Sequence, residues 1–490
     1  MTKTNNKYAS KQTGKVKNKP KQTKPSAAKH KNKAAKHNAE TLRTRKQNQH
    51  IKQPNNQTNK PAKAHKEAAF CPVFEQCGAC QMLNIPYSAQ CQHKQHYLQD
   101  LFKEELQSET EILPFLGMED PFFYRNKVAS PFALGKKAAP KNAPKPLKAA
   151  AKAKARNGNQ KPQKEILCGM YAAGTHKLID TKECLLENKR AKQIIQAIRS
   201  LCYRYGIQPY NENTGTGFLR HVIVRIGHTS NEVLVILITN KEEFAGAKNF
   251  CKELLKMCPY ITSIVQNVNT RQTNVLLGTG REYTLYGPGF ILDNLCGVSF
   301  RISSRSFYQV NATQTEKLYS QAIKLANLSG EEVVIDAYCG TGTIGLVAAC
   351  GLPENPKNKA RKVIGFDSVA SAIEDAKNNA RHNGISNAEF IAGDAGECMA
   401  KLASDYESID VVLMDPPRAG SDETFLSSLV QLSPKRVVYI SCNPKTQVRD
   451  CHYLQQHGYK LETLQAVDMF PHTKHVETIA LLTRNMSQDI

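Results

Sequence analysis

No stretch of this 490-residue chain stays apolar long enough to cross a bilayer. Its longest apolar runs, such as Val233 to Ile238, have the length of a strand, whereas a spanning helix needs about 20 such residues. The N-terminus lacks the apolar core of a secretory signal. Residues 1–66 are poor in acids, as organelle presequences are, but carry Lys, Asn and Gln without an amphipathic Arg and Ser pattern. The chain is therefore expected to be cytoplasmic and free of membranes. In a reducing compartment its 15 cysteines read as metal ligands, catalytic thiols or buried thiols, and disulfides are not expected.

Acidic residues are missing from two segments. Residues 1–66 hold 19 Lys and Arg against the single acid Glu40, and residues 135–164 hold 10 against none. The remainder has 38 basic and 42 acidic residues, so the net charge of +24 belongs to these segments and not to the folded surface at large. The first is almost devoid of apolar side chains, cannot bury enough surface to offset chain entropy, and is expected to be disordered. It reads either as a polycationic arm that binds phosphates by counterion release or as a solubilising tail. The second reads as a flexible insertion between two strands of one domain.

The organised part begins near Phe70. Cys71, Cys77 and Cys80 form a C-x5-C-x2-C pattern around a Gly-containing turn, which lets thiolates converge on one metal. Three ligands need a fourth, and Cys91, Cys168 and Cys184 are the candidates; zinc and an iron–sulfur cluster both fit the spacing. Residues 88–108 read as a helix, and a strand-rich stretch opens at 122–128. Strands are expected at 167–173, 221–226, 232–239, 261–267 and 273–277, with helices at 187–204 and 242–257, which together make a mixed α/β domain.

After residue 300 the pattern becomes strand, loop, helix. Apolar runs at 333–336, 362–367, 388–394, 410–415 and 436–442 end in an acid or a cysteine, and runs at 461–467 and 475–484 read as an antiparallel ending. The fold class expected is α/β, a doubly wound, Rossmann-like parallel sheet. Ligands gather outside the carboxyl ends of such strands, which is where Cys442 falls, in Ser441-Cys442-Asn443-Pro444.

Three motifs carry chemistry. Gly340, Gly342 and Gly345 form a G-x-G-x-x-G with Asp367 at the end of the next strand, a pattern that suits an adenosine cofactor and, alone, would serve NAD as well. Asp336 at the loop's start, where a cationic methionine moiety would sit, and Asp394 after a third strand, near an adenine edge, favour S-adenosylmethionine. Asp415-Pro416-Pro417-Arg418 can hold its carboxylate rigidly near a substrate. Carbon 5 of uracil is a weak nucleophile until a thiolate adds at carbon 6, and the adduct must then lose its carbon 5 proton to a base. Cys442 and Glu477 complete that set.

These residues resemble the RNA uracil-5-methyltransferase family of the RumA and TrmA type. The likeness rests on Ser306-Phe307-Tyr308-Gln309-Val310-Asn311, the loop after Asp336, Asp415-Pro416-Pro417-Arg418, Ser441-Cys442-Asn443-Pro444, and Asp468-Met469-Phe470-Pro471-His472-Thr473 through Glu477. The resemblance implies that Cys442 is the nucleophile and Glu477 the proton-removing base. It implies that Gln309, Tyr338, Gly340, Gly342, Thr343, Asp367, Asp394 and Asp415 contact S-adenosylmethionine or frame the base.

Thr175-His176-Lys177-Leu178-Ile179-Asp180 precedes Cys184, as in the family's cluster-bearing branch. That implies a [4Fe-4S] cluster on Cys71, Cys77, Cys80 and Cys184, and 23S rRNA as substrate, with tRNA the alternative and a monomer expected. A non-catalytic RNA-binding or ribosome-assembly protein is the competing class. The domains expected are a tail (1–67), a central RNA-binding and iron–sulfur domain (68–300, with the insertion 135–164) and a methyltransferase domain (301–490). Many relatives begin with a small RNA-binding barrel, the TRAM domain. Here the Lys-rich tail precedes Cys71, and the tail and insertion are expected to replace its electrostatic contribution.

Overall fold

The computed structural model describes residues 69–148, 150, 163–406 and 409–485. The expectations for the tail and for residues 149 and 151–162 of the insertion lie outside the described residues.

Strand β1 (Glu111–Ile112) joins a downstream sheet. The upstream sheet holds β2 (Lys127–Ala138), β3 (Lys164–Tyr171), β4 (Leu178–Asp180), β5 (Leu219–Ile226), β6 (Val233–Thr239), β7 (Ser263–Val268) and β8 (Glu282–Tyr286), in spatial order β4-β3-β2-β5-β6-β7-β8. Its neighbours run antiparallel except β6 and β7, which are parallel and are linked through the helix Ala247–Met257. The ends of the 135–164 segment are strand, with Ala138 opposite Lys164.

Every residue of β6 is buried, and its alternation divides two cores. Val233, Val235 and Leu237 pack with Ile194, Ile198 and Phe250 beneath the helices Lys189–Tyr205 and Ala247–Met257. Leu234, Ile236 and Ile238 face the other way, into a core shared with Phe300, Leu318 and Val334. A strand buried on both faces reads as an unbroken apolar run, each side chain contributing about 1.5–3 kcal/mol of burial.

The 273–277 stretch is loop. Its carbonyls are taken by side chains: Asn269 Nδ2 donates to Val275 and Leu276, and Arg220 donates to Thr273, so no ladder can form there. The strand lies later, at β8. The hairpin of β9 (Ile291–Leu295) and β10 (Val298–Ile302) was not anticipated; Asn379 and Asn383 of the helix Ala370–Asn383 cap its amides at Arg301 and Ser299. The first helix among the described residues runs Tyr87–Leu101 and stops short of 108.

The downstream sheet is the doubly wound one. β11 (Val333–Ala337), β12 (Lys362–Asp367), β13 (Ala388–Ala392), β14 (Val411–Met414) and β15 (Arg436–Ser441) are parallel, β17 (Glu477–Arg484) is antiparallel to β15, and β16 (Tyr459–Val467) lies beyond it. The order is β1-β16-β17-β15-β14-β11-β12-β13. The strand order reverses at β11, with β12 and β13 on one side and β14 and β15 on the other, and because all five are parallel their carboxyl ends lie along one edge.

Candidate active site

At the end of β11 the chain turns through left-handed positions at Tyr338 (φ 61°), Gly340 (φ 55°) and Gly342 (φ 76°) before the helix Thr343–Cys350. A Cβ at Gly342 would come within 2.9 Å of the Phe390 ring, while one at Gly340 would meet nothing within 4 Å, so the loop is packed below and open above Gly340. Asp367 Oδ2 accepts the Gly340 amide at 3.0 Å and Oδ1 accepts the Val369 amide at 2.8 Å. Asp394 lies just beyond β13 and accepts the amides of Gly396 and Glu397, capping the helix Ala395–Asp405. Thr343 Oγ1 is 3.0 Å from Tyr319 Oη, and Tyr338 Oη donates to Ser421 Oγ at 3.0 Å.

Asp336 is placed differently from expectation. It is buried and accepts the Gly345 amide at 2.9 Å, so its carboxyl is engaged in holding the helix against β11 instead of lining the open side of the loop. Burial pushes it up to about 8 against the pull of that one amide.

On the other half of the edge, two loops are joined side by side. Asn443 Nδ2 donates to Arg418 O at 2.8 Å, and Thr446 Oγ1 reaches the same carbonyl at 3.4 Å. Ser441 Oγ accepts the Asn443 amide at 3.1 Å, fixing the turn that carries Cys442. Because Ser441 pairs with Thr478 and Val467 with Glu477, the register brings Cys442 and Glu477 to adjoining strand ends. The thiol of Cys442 is raised to about 11, first by burial, then by Glu477 and Asp415, with Arg418 opposing. Glu477 is raised to about 8 by burial and Asp415, again opposed by Arg418, and burial raises Asp415 to about 7. Two carboxyls poised near neutrality beside a thiol and a guanidinium make a proton-handling cluster.

Gln309 is half-buried, with its carbonyl held by Asn126 Nδ2 at 3.0 Å. Phe307 is 63 % exposed although its carbonyl accepts Thr341 Oγ1 from the cofactor loop. An exposed aromatic there carries no sequence signal beyond the motif that contains it. Also missed was the polar network under the approach to Glu477. Lys94 and Tyr87 bind Asp468, Gln90 binds His472, and Asn311 Nδ2 binds Met469 O, none of it readable from residues so far apart in sequence.

Cys71, Cys77, Cys80 and Cys184 line one small apolar cavity with Val73, Phe74 and Leu83. Cys168 is buried in β3 beside Gln196, and Cys91 lies on the first helix near Gly117, so the structure gathers the four and leaves those two apart. Among the described residues no group of three or more His, Cys, Asp or Glu side chains is arranged to hold a metal ion. Cys80 is pushed up to about 12 by burial and then by Cys184, with Arg125 opposing. Among the described residues no helix is long and apolar enough to cross a membrane.

The strand order and the open Gly340 loop with Asp367 beside it define an S-adenosylmethionine-dependent methyltransferase. Residues 294–485 match the family model of the tRNA (uracil-5-)-methyltransferases. An uncharacterized RNA methyltransferase of Bacillus cereus is 39% identical over 86% of this chain and 84% of its own length. Another, from Halalkalibacterium halodurans, is 39% identical over 84% and 83%. Among solved structures, the Pyrococcus abyssi tRNA (uracil-54, C5)-methyltransferase in complex with S-adenosyl-L-homocysteine is 27% identical, covering 84% of this chain and 86% of that one with a TM-score of 0.62. The chain belongs to the RNA uracil-5-methyltransferase family, and it is an S-adenosylmethionine-dependent RNA methyltransferase.

Proposed function

We propose that this enzyme methylates carbon 5 of a uridine in 23S rRNA. The observation that carries the reading is the convergence of Cys442 and Glu477 on one strand edge with Asp415 and Arg418 between them in charge. When bound, S-adenosylmethionine would supply an electrophilic methyl group and leave as S-adenosylhomocysteine; Gln309, Tyr338, Gly340, Gly342, Thr343, Asp367, Asp394 and Asp415 would hold it or frame the base. Cys442 Sγ, deprotonated with help from Arg418 and a neighbouring carboxylate, forms a bond to uracil carbon 6. The displaced π electrons make carbon 5 nucleophilic, and it takes the methyl. The Glu477 carboxylate then removes the carbon 5 proton, the carbon 5–carbon 6 double bond re-forms, and the carbon–sulfur bond breaks to return the thiolate. The target uridine reaches Cys442 by leaving its stack, at a few kcal/mol that an RNA loop lowers.

The placement of the four cysteines around one cavity, together with the likeness of the segment before Cys184 to the family's cluster-bearing branch, supports a [4Fe-4S] group there. In this reading Cys71, Cys77, Cys80 and Cys184 hold it, and it fixes the upstream region for RNA binding without entering the methyl transfer. The likeness to the family's cluster-bearing branch favours rRNA; the likeness to a tRNA enzyme favours tRNA as the second reading. Purified enzyme incubated with S-adenosylmethionine and either 23S rRNA fragments or tRNA, followed by nucleoside mass spectrometry, tests this. 5-Methyluridine in the 23S fragment alone is the expected result, and its appearance in tRNA alone reassigns the substrate.

A further inference from the structure

A second recess lies on the upstream sheet and shares no wall residue with the Cys442 edge. It has a volume of about 530 Å³, within the range of roughly 300–1,000 Å³ that small-molecule sites occupy. Its wall includes Tyr171, His176, Tyr210, Arg220, His221 and Val275. Three of the ten large apolar side chains that stand exposed among the described residues, Leu134, Tyr171 and Val275, line it. Such concentration of exposed apolar surface in one concave place marks a binding site.

The chemistry of the wall narrows the occupant. The Arg220 guanidinium lies over the Tyr210 ring at 4.3 Å and is fixed there by the carbonyls of Asn269 and Arg271 at 2.8 and 2.7 Å, so it is a rigid, flat cation. Tyr171 and His176 offer two more ring faces, 5.7 Å apart, with His176 held by Glu212 at 2.8 Å. Neither ring nitrogen of His221 has a hydrogen-bond partner, and burial with Arg220 nearby drops its pKa to about 4, leaving a neutral imidazole with one donor and one acceptor. Flat aromatic and guanidinium faces with a few polar edges are what an unstacked nucleobase needs. A phosphate would find no accessible lysine in this wall and would meet Glu212.

The recess is mechanically tied to the cofactor side. Thr273, Asn274, Val275 and Leu276 form part of its wall, and two residues on, Gly278 O accepts Arg305 Nη2 at 2.7 Å. Arg305 is two residues before Phe307, whose carbonyl binds Thr341 of the cofactor loop. One short loop therefore spans from the recess to the segment beside the cofactor.

We infer that this recess receives one unpaired base of the RNA substrate other than the methylated uridine, stacked among Tyr171, His176 and Tyr210. The inference rests on the RNA methylation reading above. The test uses full-length wild type, Tyr171→Ala, Tyr171→Phe and Tyr210→Ala with an RNA fragment that wild type methylates, measuring RNA affinity by fluorescence anisotropy with S-adenosylhomocysteine bound. Tyr171→Ala and Tyr210→Ala are expected to bind RNA roughly 5- to 100-fold more weakly, the loss typical of one stacked base. Tyr171→Phe should bind as wild type, and all variants should bind S-adenosylhomocysteine normally, which shows that they fold. Scanning the fragment with single abasic sites should find one unmethylated position whose removal weakens wild type but not Tyr171→Ala. Methylation by wild type with RNA affinity unchanged in both alanine variants overturns the recess assignment and leaves the function standing. Displacement of the RNA by millimolar nucleoside monophosphates makes the recess a free-nucleotide site and overturns it as well. Absence of any RNA methylation by wild type defeats the functional reading itself, and this inference with it.

Discussion

Lys94 Nζ lies 2.7 Å from Asp468 Oδ1, and both side chains are shut away from water although 374 residues separate them. Lys94 also reaches Phe470 O, and Tyr87 Oη donates to Asp468 Oδ2 at 2.9 Å, so the first helix fastens the segment that leads into Glu477. Removing one partner of such a pair strands a buried charge. Lys94→Met is expected to cost about 3–5 kcal/mol in urea unfolding, and the double variant Lys94→Met/Asp468→Asn clearly less than the sum of the two singles. Additive costs would show that the pair does not act as a unit.

Glu477 and Asp415 have folded-state pKa values raised to about 8 and 7, above those of exposed carboxyls. The folded protein therefore binds more protons than the unfolded chain between about pH 4.5 and 8, and the stability these groups contribute is present below that window and lost as pH rises through it. Melting temperature should fall from pH 5 to pH 8, and Glu477→Gln should flatten the fall. The working forms of Glu477 and Cys442 are ionised, so single-turnover methylation should instead rise with pH through about 8. A rate that declines over that span would contradict the assignment of Glu477 as base.

Asp367 accepts the Gly340 amide of the cofactor loop and the Val369 amide after its own strand, whereas Asp336 holds only Gly345 beneath the loop. Asp367→Ala should weaken S-adenosylhomocysteine binding by roughly 10- to 100-fold, the worth of hydrogen bonds to a charged group. Asp336→Asn, which keeps an acceptor for the Gly345 amide, should leave that affinity near wild type. Calorimetric titration of both variants separates the roles, and the reverse ranking would restore Asp336 to the cofactor.

The cavity shared by Cys71, Cys77, Cys80 and Cys184 makes a selective forecast. Protein purified without oxygen should contain iron and acid-labile sulfide, both lost in Cys184→Ser and kept in Cys91→Ser and Cys168→Ser. Iron retained in Cys184→Ser would break the assignment of the fourth ligand.

Much of this architecture was legible because parallel strands buried on both faces are continuous apolar runs, and the candidate site residues sit where those runs stop, as at Asp367 and Cys442. The strand read at 273–277 failed because periodicity does not reveal that Asn269 and Arg220 occupy its carbonyls. Asp336 was misdirected for a related reason: sequence places a carboxylate at a strand end but does not say which face it serves. The Lys94–Asp468 pair left no trace, since a lysine on a largely polar helix looks solvated until the fold closes over it.

The central claim is that Cys442 adds covalently to carbon 6 of a uridine and that a base then removes the carbon 5 proton. Fluorine at carbon 5 blocks that last removal. Wild type, Cys442→Ala and Glu477→Gln should be incubated with S-adenosylmethionine and RNA carrying 5-fluorouridine, then run on a denaturing gel. A protein–RNA band that survives denaturation in wild type and Glu477→Gln but is missing in Cys442→Ala is the expected result. A band of equal strength in Cys442→Ala, or methylated product with no adduct in wild type, would contradict the account.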